Sequence, residues 1–353
     1  MESDKKMSYK RILVVNLGGI GDLLLSTPAL RALRSNYPGS KLFLLVIPRC
    51  KEMAESLEYI DGIFYFYKGI FSGNLFRNIQ TISFLRKQNF DLLINMRTLV
   101  SRKSALMMQF LIKMINPKKT AGRNTEGRGE FLDFKVFESD KGDCYEMEYD
   151  LETVRQVGAV ITDKSLIFKI PDVARKKMES VLFEEKVGKD EILIGINPGG
   201  ELSHRWSKDN FAAVTKIISE NFSCRFFVTG SLKEYPLAEE IAVLSKIKMI
   251  NLCGKTDISE LGAWLEKASL YITNDTGPMH IAAVLKTSLV AIFGPGYLKR
   301  FDPRVISEKA LVVYNQIHCA PCNRKICSSG GCLKSISVEE VSKLCFSLLK
   351  GQR

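Results

Sequence analysis

Short β-branched runs alternate with amphipathic stretches along this chain, and the alternation occurs twice. In the first half, "RILVVNL" (residues 11–17), "KLFLLVIP", "GIFYFY" and "FDLLINM" have the apolar continuity of buried strands. Between them lie "DLLLSTPALRALRSNYPGS", with apolar spacing near 3.6 and a Pro-Gly stop, "EMAESLEYI", and a helical stretch around "NIQTISFLRKQ". The pattern loosens between about residues 123 and 150, where Gly, Asp and Glu are frequent, and "YDLETVRQVGAV" and a charged segment follow. It then restarts with "ILIGINP", "CRFFVTG", "MINLCG", "LYITN" and "SLVAIFGP" as strands separated by helices. Such alternation predicts βαβ units and parallel sheets covered on both faces. We therefore expect an α/β chain of two Rossmann-like domains, with ligand in the cleft between the carboxyl ends of the two sheets. The expected boundaries are 1–168 for the N-terminal domain, 169–190 for a hinge, 191–336 for the C-terminal domain and 337–353 for a closing helix.

A length of 353 residues suits two domains. The longest apolar runs, such as Leu42 to Ile47, fall far short of the roughly 20 residues that span a bilayer. "MESDKKMSYKR" has no signal-peptide core and reads as the frayed tail of a cytoplasmic protein. The net charge of +12 favours polyanionic partners, although the excess is spread without blocks of like charge. Nine cysteines, five of them scattered, suit a reducing compartment.

The stretch "VVNLGGIGDLLLSTPAL" carries Gly18, Gly19 and Gly21 just ahead of Asp22. A nicotinamide fingerprint needs a glycine three positions past Gly21 and a carboxylate closing the second strand, and both are missing. The Gly-Lys-Ser/Thr of a Walker loop is absent too. Asp22 is either the cap of the following helix or a catalytic carboxylate at the lip of a cleft.

Two of the three histidines lie in strand-to-helix loops of the second half. "NPGGELSHRWSKDNF" holds Gly199, Gly200, His204 and Arg205, a turn that can approach a phosphate with cationic donors beside it. "TNDTGPMHIAAV" ends a strand and opens a helix, with Pro278 near the first turn, so its N–H groups face outward at an anion. Together the loops suggest a diphosphate, against the plainer reading of two capped helix starts.

"NLGGIGDLLLSTPALRAL", "NPGGELSHRWSKDNFAAV", "NDTGPMHIAAVL…VAIFGP" and "CAPCNRKICSSGGC", in this order and spacing, resemble glycosyltransferase family 9, typified by ADP-heptose:lipopolysaccharide heptosyltransferases. The resemblance covers nearly the whole chain. It implies a GT-B fold, with two Rossmann-like domains facing each other across a cleft, and an inverting transfer that requires no cofactor or metal. The donor would be a nucleotide sugar, ADP-heptose, and the acceptor a lipid-linked saccharide of the lipopolysaccharide core. The resemblance makes Asp22 the catalytic carboxylate and assigns the donor phosphates and sugar to Asp275, Thr276 and Gly277, with His280 one turn along the same helix. Glu234 matches the acidic residue expected on the nucleotide ribose. Where the family usually has Lys before Arg/His-Trp, this chain has His204, so Arg205 is expected to supply more of the positive charge. No Asp-x-Asp pair occurs, which leaves helix dipoles and basic side chains to meet the leaving-group charge.

Cys319, Cys322, Cys327 and Cys332 have the spacing C-x2-C-x4-C-x4-C beside His318, which fits either a structural zinc site or a reduced Cys-rich hairpin. Residues 99–120, "LVSRKSALMMQFLIKMINPKKT", mix Leu, Met and Phe with Arg102, Lys103, Lys113, Lys118 and Lys119. They fit an interfacial helix on an anionic membrane, peripheral on the cytoplasmic face of the inner membrane, or equally a core-facing helix with a basic rim. A nucleic-acid-binding protein is the rival class, and the lack of any aromatic-basic pattern near the cysteines speaks against a nucleic-acid partner.

Overall fold

The computed structural model describes residues 8–67, 74–324 and 326–351, in two compact units, Met1–Leu166 and Ile167–Arg353. The expected N-terminal tail falls largely in residues 1–7, outside the described residues.

The first unit runs β1 (Arg11–Asn16), α1 (Ile20–Asn36), β2 (Lys41–Val46), α2 (Lys51–Glu55), β3 (Gly62–Tyr65), α3 (Leu75–Lys87), β4 (Leu92–Asn95), α4 (Arg102–Ile115), β5 (Lys119–Thr125), β6 (Phe134–Glu138) and α5 (Glu146–Gln156). Its six strands form a parallel sheet in the order β3-β2-β1-β4-β5-β6. One face is a core of Leu13, Val15, Phe43, Leu45 and Leu93 beneath Leu85 of α3 and Met108, Leu111 and Ile115 of α4. Helices α1 and α5 pack together.

The two strands β5 and β6 occupy the stretch where the apolar pattern loosens. They are held together partly by buried polar side chains, Arg123, Asn124, Thr125 and Glu138, so hydrophobic periodicity is a weak signal for them.

The second unit runs α6 (Asp172–Glu184), β7 (Ile192–Asn197), α7 (Lys208–Ser219), β8 (Cys224–Val228), α8 (Tyr235–Ser245), β9 (Met249–Asn251), α9 (Ile258–Lys267), β10 (Leu270–Asn274), α10 (Gly277–Val284), β11 (Leu289–Phe293), α11 (Leu298–Phe301), β12 (Ala310–Tyr314), α12 (Gly331–Lys334) and α13 (Val338–Lys350). Its parallel sheet has the order β12-β11-β10-β7-β8-β9. Ile194, Ile196, Phe226, Val228, Ile272 and Ile292 pack there with Phe211 and Val214 of α7 and Val341 and Cys345 of α13.

The segment 169–190, expected as a hinge, carries α6, which packs on α9. Arg175 pairs with Glu266 at 2.7 Å and Lys177 with Glu260. A Cβ on Gly262 of α9 would come within 2.5 Å of the Phe168 ring, so this glycine leaves room for Phe168 to dock.

Both sheets place their first strand beside their fourth. Strand order reverses there, and the loops leaving the carboxyl ends of the two strands splay apart and open a crevice. In the first unit these are the loops after β1 and β4, and in the second the loops after β7 and β10.

Candidate functional site

Asn16 ends β1 and accepts the N–H of Gly18 at 3.1 Å, turning the chain sharply into α1. A side chain cannot be placed on Gly18, because its Cβ would lie 2.6 Å from Oδ2 of Asp22. That closeness lets Asp22 fold back over the loop, and its Oδ2 accepts the N–H of Gly19 at 2.6 Å. Asp22 therefore does cap the helix, but with one oxygen only. Its Oδ1 pairs with Nη1 of Arg97, which follows β4 across the switch point. The carboxylate remains partly open, with 21% of its side chain exposed.

Arg97 is the functional candidate that sequence reasoning missed. It is fixed by Asn95, whose Oδ1 accepts the Arg97 N–H at 3.2 Å and whose Nδ2 donates to the Arg97 carbonyl at 2.8 Å. Behind it lies a buried ion cluster. Arg123, fully buried, donates to Glu146 at 2.7 Å, to Glu138 at 3.2 Å and to Asp150 at 2.5 Å. Glu146 also lies 3.9 Å from Arg97, which links the cluster to Asp22.

Burial raises the pKa of Asp150 to about 6, against the opposing pull of Arg123. Ser26 lies beside this carboxyl group, and its hydrogen bond to the ionised form opposes the rise. Its Oγ receives a proton from Asn16 Nδ2 and lies 2.9 Å from the Asp22 carbonyl and 2.5 Å from Asp150. One hydroxyl proton cannot serve two acceptors. When Asp150 carries a proton it donates to Ser26, which is then free to donate to the Asp22 carbonyl.

In the second unit Asn197 repeats the role of Asn16, accepting the N–H of Gly199 at 3.0 Å. Gly200 has φ +114°, in the region that favours glycine, and a Cβ there would meet Thr276 at 2.8 Å. Asn274 ties the two loops, donating to the Gly199 carbonyl at 3.0 Å and accepting the Trp206 N–H at 3.1 Å. Glu234 accepts from Gly200 N–H at 2.8 Å, Arg205 at 3.1 Å, Ser231 N–H at 2.7 Å and Ser231 Oγ at 3.0 Å. Those contacts fill its four lone-pair positions, and Arg205 is further held by the Gly200 carbonyl at 2.8 Å. Gly199, Gly200, Arg205, Glu234 and Thr276 are thus brought together. Thr276 precedes Gly277 at the start of α10, where Pro278 has no N–H and the Met279 N–H bonds the Thr276 carbonyl at 3.1 Å, which leaves the Gly277 N–H as the donor of the first turn. Asp275 lies against Gly296, where a Cβ would come 2.1 Å from its Oδ2. His280 is buried on the same helix, its ring against Phe301.

Two expectations are corrected. His204 is buried, and desolvation lowers its pKa below the usual 6.5, so it is neutral at pH 7 and Arg205 is the cation of this loop. The cysteines do not assemble a zinc site, since no group of three or more metal-ligating side chains forms among the described residues. Cys332 is drawn into the core at α12, whereas Cys319 and Cys327 are exposed.

The family model of glycosyltransferase family 9 (heptosyltransferase) matches residues 79–333, well over half of the chain. The chain belongs to glycosyltransferase family 9. Lipooligosaccharide heptosyltransferase 2 of Campylobacter jejuni is 34% identical over 209 residues, covering 57% of this chain. The match spans 62% of the length of that relative and of its counterpart from a second strain. Lipopolysaccharide heptosyltransferase 3 of Escherichia coli is 27% identical over 78% of this chain and 79% of its own. Among solved structures, a family 9 glycosyltransferase of Veillonella parvula aligns with a TM-score of 0.76 at 23% identity, over 98% of this chain and 99% of its own. An E. coli heptosyltransferase solved with ADP-2-deoxy-2-fluoro heptose aligns with a TM-score of 0.67 at 16% identity, over 96% of this chain and 99% of its own. The family 9 chain thus has the GT-B fold class of two Rossmann-like units.

Proposed function

We propose that this chain is an inverting glycosyltransferase that moves a heptose-like sugar from an ADP-sugar to a saccharide acceptor of the lipopolysaccharide core. The observation that carries the reading is the Asp22 carboxylate, partly open at the switch point of the first sheet and oriented by Gly19 and Arg97. The likeness to the lipooligosaccharide and lipopolysaccharide heptosyltransferases of Campylobacter and E. coli supports the sugar and acceptor classes, and the E. coli structure with ADP-2-deoxy-2-fluoro heptose supports the nucleotide.

In this mechanism Asp22 takes the proton of an acceptor hydroxyl as the oxygen bonds to the anomeric carbon of the donor. The bond from that carbon to the diphosphate breaks on the opposite face, and ADP leaves with the electron pair. Such a base is worth roughly two to four orders of magnitude in rate. Arg205 and the Gly277 N–H at the start of α10 meet the charge on the departing phosphates without a metal. Asp275, Thr276 and Gly277 hold the phosphates and sugar. The ribose hydroxyl reaches Glu234 by displacing Ser231 Oγ, the longer of the two contacts from that residue.

The test is Asp22→Asn, because the asparagine oxygen can still accept the Gly19 N–H but an amide is no base. The variant should keep its melting temperature and ADP affinity and lose about 10²- to 10⁴-fold in ADP release from ADP-heptose. Near-normal turnover returns Asp22 to the role of helix cap. ADP-, GDP- and UDP-sugars compared by nucleotide release test the donor assignment.

A further inference from the structure

Helices α3 and α4 lie side by side on one face of the first sheet, both contributing to the core beneath them. Arg86 of α3 donates to the carbonyl of Met114 at the end of α4 at 3.0 Å, so their carboxyl ends are adjacent. Their outward surfaces mix large apolar side chains with basic ones. Leu106, Phe110 and Met114 recur every fourth residue, which aligns them in one row on α4, with Met107 beside them. Leu106 is 65% exposed and Phe110 63%, and Phe76 of α3 is 67% exposed with Leu75 and Ile79 near it. Apolar surface concentrated in this way marks an interaction site.

The charge around it is one-sided. Residues 74–120 contain nine Lys and Arg against one acid, Asp91; Arg97, Lys118 and Lys119 are paired with Asp22, Asp91 and Asp133, which leaves Arg77, Arg86, Lys87, Arg102, Lys103 and Lys113 around the face. Asp91 is already occupied by Lys118 at 2.7 Å and by the Lys10 and Arg11 N–H groups. Neither helix contains an acidic residue, and exposed Lys103 and Lys113 flank the Leu106–Phe110 row.

We propose that the α3–α4 face docks on a bilayer surface bearing anionic headgroups. Leu, Met and Phe enter the headgroup and acyl boundary while the basic side chains neutralise lipid phosphates. A second copy seated face to face on the same patch would oppose two cationic rims, which disfavours that occupant. A nucleic acid would leave the row of large aliphatic side chains without a partner. The proposal deepens the glycosyltransferase reading by naming the surface on which a lipid-linked acceptor is met. It is tested without sugar transfer, so its failure and the failure of that reading are distinguishable.

The experiment sediments the full chain with vesicles of pure phosphatidylcholine or of phosphatidylcholine with 30% phosphatidylglycerol. Wild type should bind the anionic vesicles at least about tenfold more tightly, and high salt should weaken that binding. Leu106→Gln with Phe110→Gln should lower binding to anionic vesicles about tenfold, at an unchanged melting temperature because both side chains are exposed. Lys103→Gln with Lys113→Gln should bring anionic vesicles toward the phosphatidylcholine level. Unchanged binding in both double variants overturns the proposal. So does self-association in vesicle-free solution that the Leu106/Phe110 variant abolishes, which assigns the face to a second copy of the chain. Tighter binding to a single-stranded oligonucleotide than to anionic vesicles overturns it as well.

Discussion

A carboxylate acting as a base must hold a fixed direction, and Asp22 gets its direction from two unlike partners. The Gly19 N–H fixes Oδ2 within the loop, while Arg97 reaches Oδ1 from the strand next door. We assign Arg97 the part of a positioning residue that acts through Asp22. Arg97→Gln should lower kcat about 10- to 100-fold, by the logic that small misplacements are costly in catalysis. The KM for ADP-heptose should stay within about twofold, because the groups proposed to hold the donor lie in the second unit. Arg97→Lys should restore part of the loss. A rise in donor KM at unchanged kcat would remove Arg97 from this role. Asp22 was legible as a candidate because it closes a glycine turn, whereas Arg97 was not. Its partner is 75 residues away in sequence, and only the pairing of β1 with β4 makes the two neighbours. Likewise His204 stands beside Arg205 in sequence like a second cation, but its burial is a property of the folded loop alone.

At the scale of elements, most strands and helices were readable because their interiors are apolar and their turns use Gly and Pro. Strands β5 and β6 escaped because a salt-bridge cluster fills the place of apolar side chains. Buried ion pairs of this kind add little net stability and make the loss of one partner costly. The cluster also makes a pH signature. The folded pKa of Asp150, about 6, lies above the unfolded value of about 3.9. The folded state therefore binds the extra proton. This contribution to stability is fully present below about pH 4 and is lost as pH rises through about 6. Asp150→Asn mimics the protonated acid, offering its amide to Ser26 and its oxygen to Arg123. In urea unfolding at pH 5 and pH 8, wild type should lose more stability across the interval than the variant. An equal fall in Asp150→Asn would mean that Asp150 is ionised throughout.

At the scale of the whole molecule, the loops proposed to hold the donor follow β7, β8 and β10, all in the second unit. That unit begins ahead of α6, because Phe168 fits against Gly262 and Arg175 against Glu266. A fragment spanning 167–353 should therefore unfold cooperatively and bind ADP by calorimetry. A fragment from residue 186, cut by the sequence pattern alone, should melt at lower temperature. Absence of ADP binding in the longer fragment would move the nucleotide site out of this unit. Two α/β units were legible in the strand and helix alternation, but the attachment of α6 was not. Its sequence is largely charged, and it docks through two buried apolar residues, Ala174 and Met178, beside the ion pairs to Glu260 and Glu266.

The two sheets share one strand order, and each opens its crevice with an asparagine that clasps a glycine N–H, Asn16 on Gly18 and Asn197 on Gly199. In each unit these supports are internal. A lineage carrying such a gene can replace the front half and keep the back half intact. With the nucleotide held in the second unit as proposed, new acceptors become reachable by recombination at the boundary between Leu166 and Ile167, without relearning how to hold it.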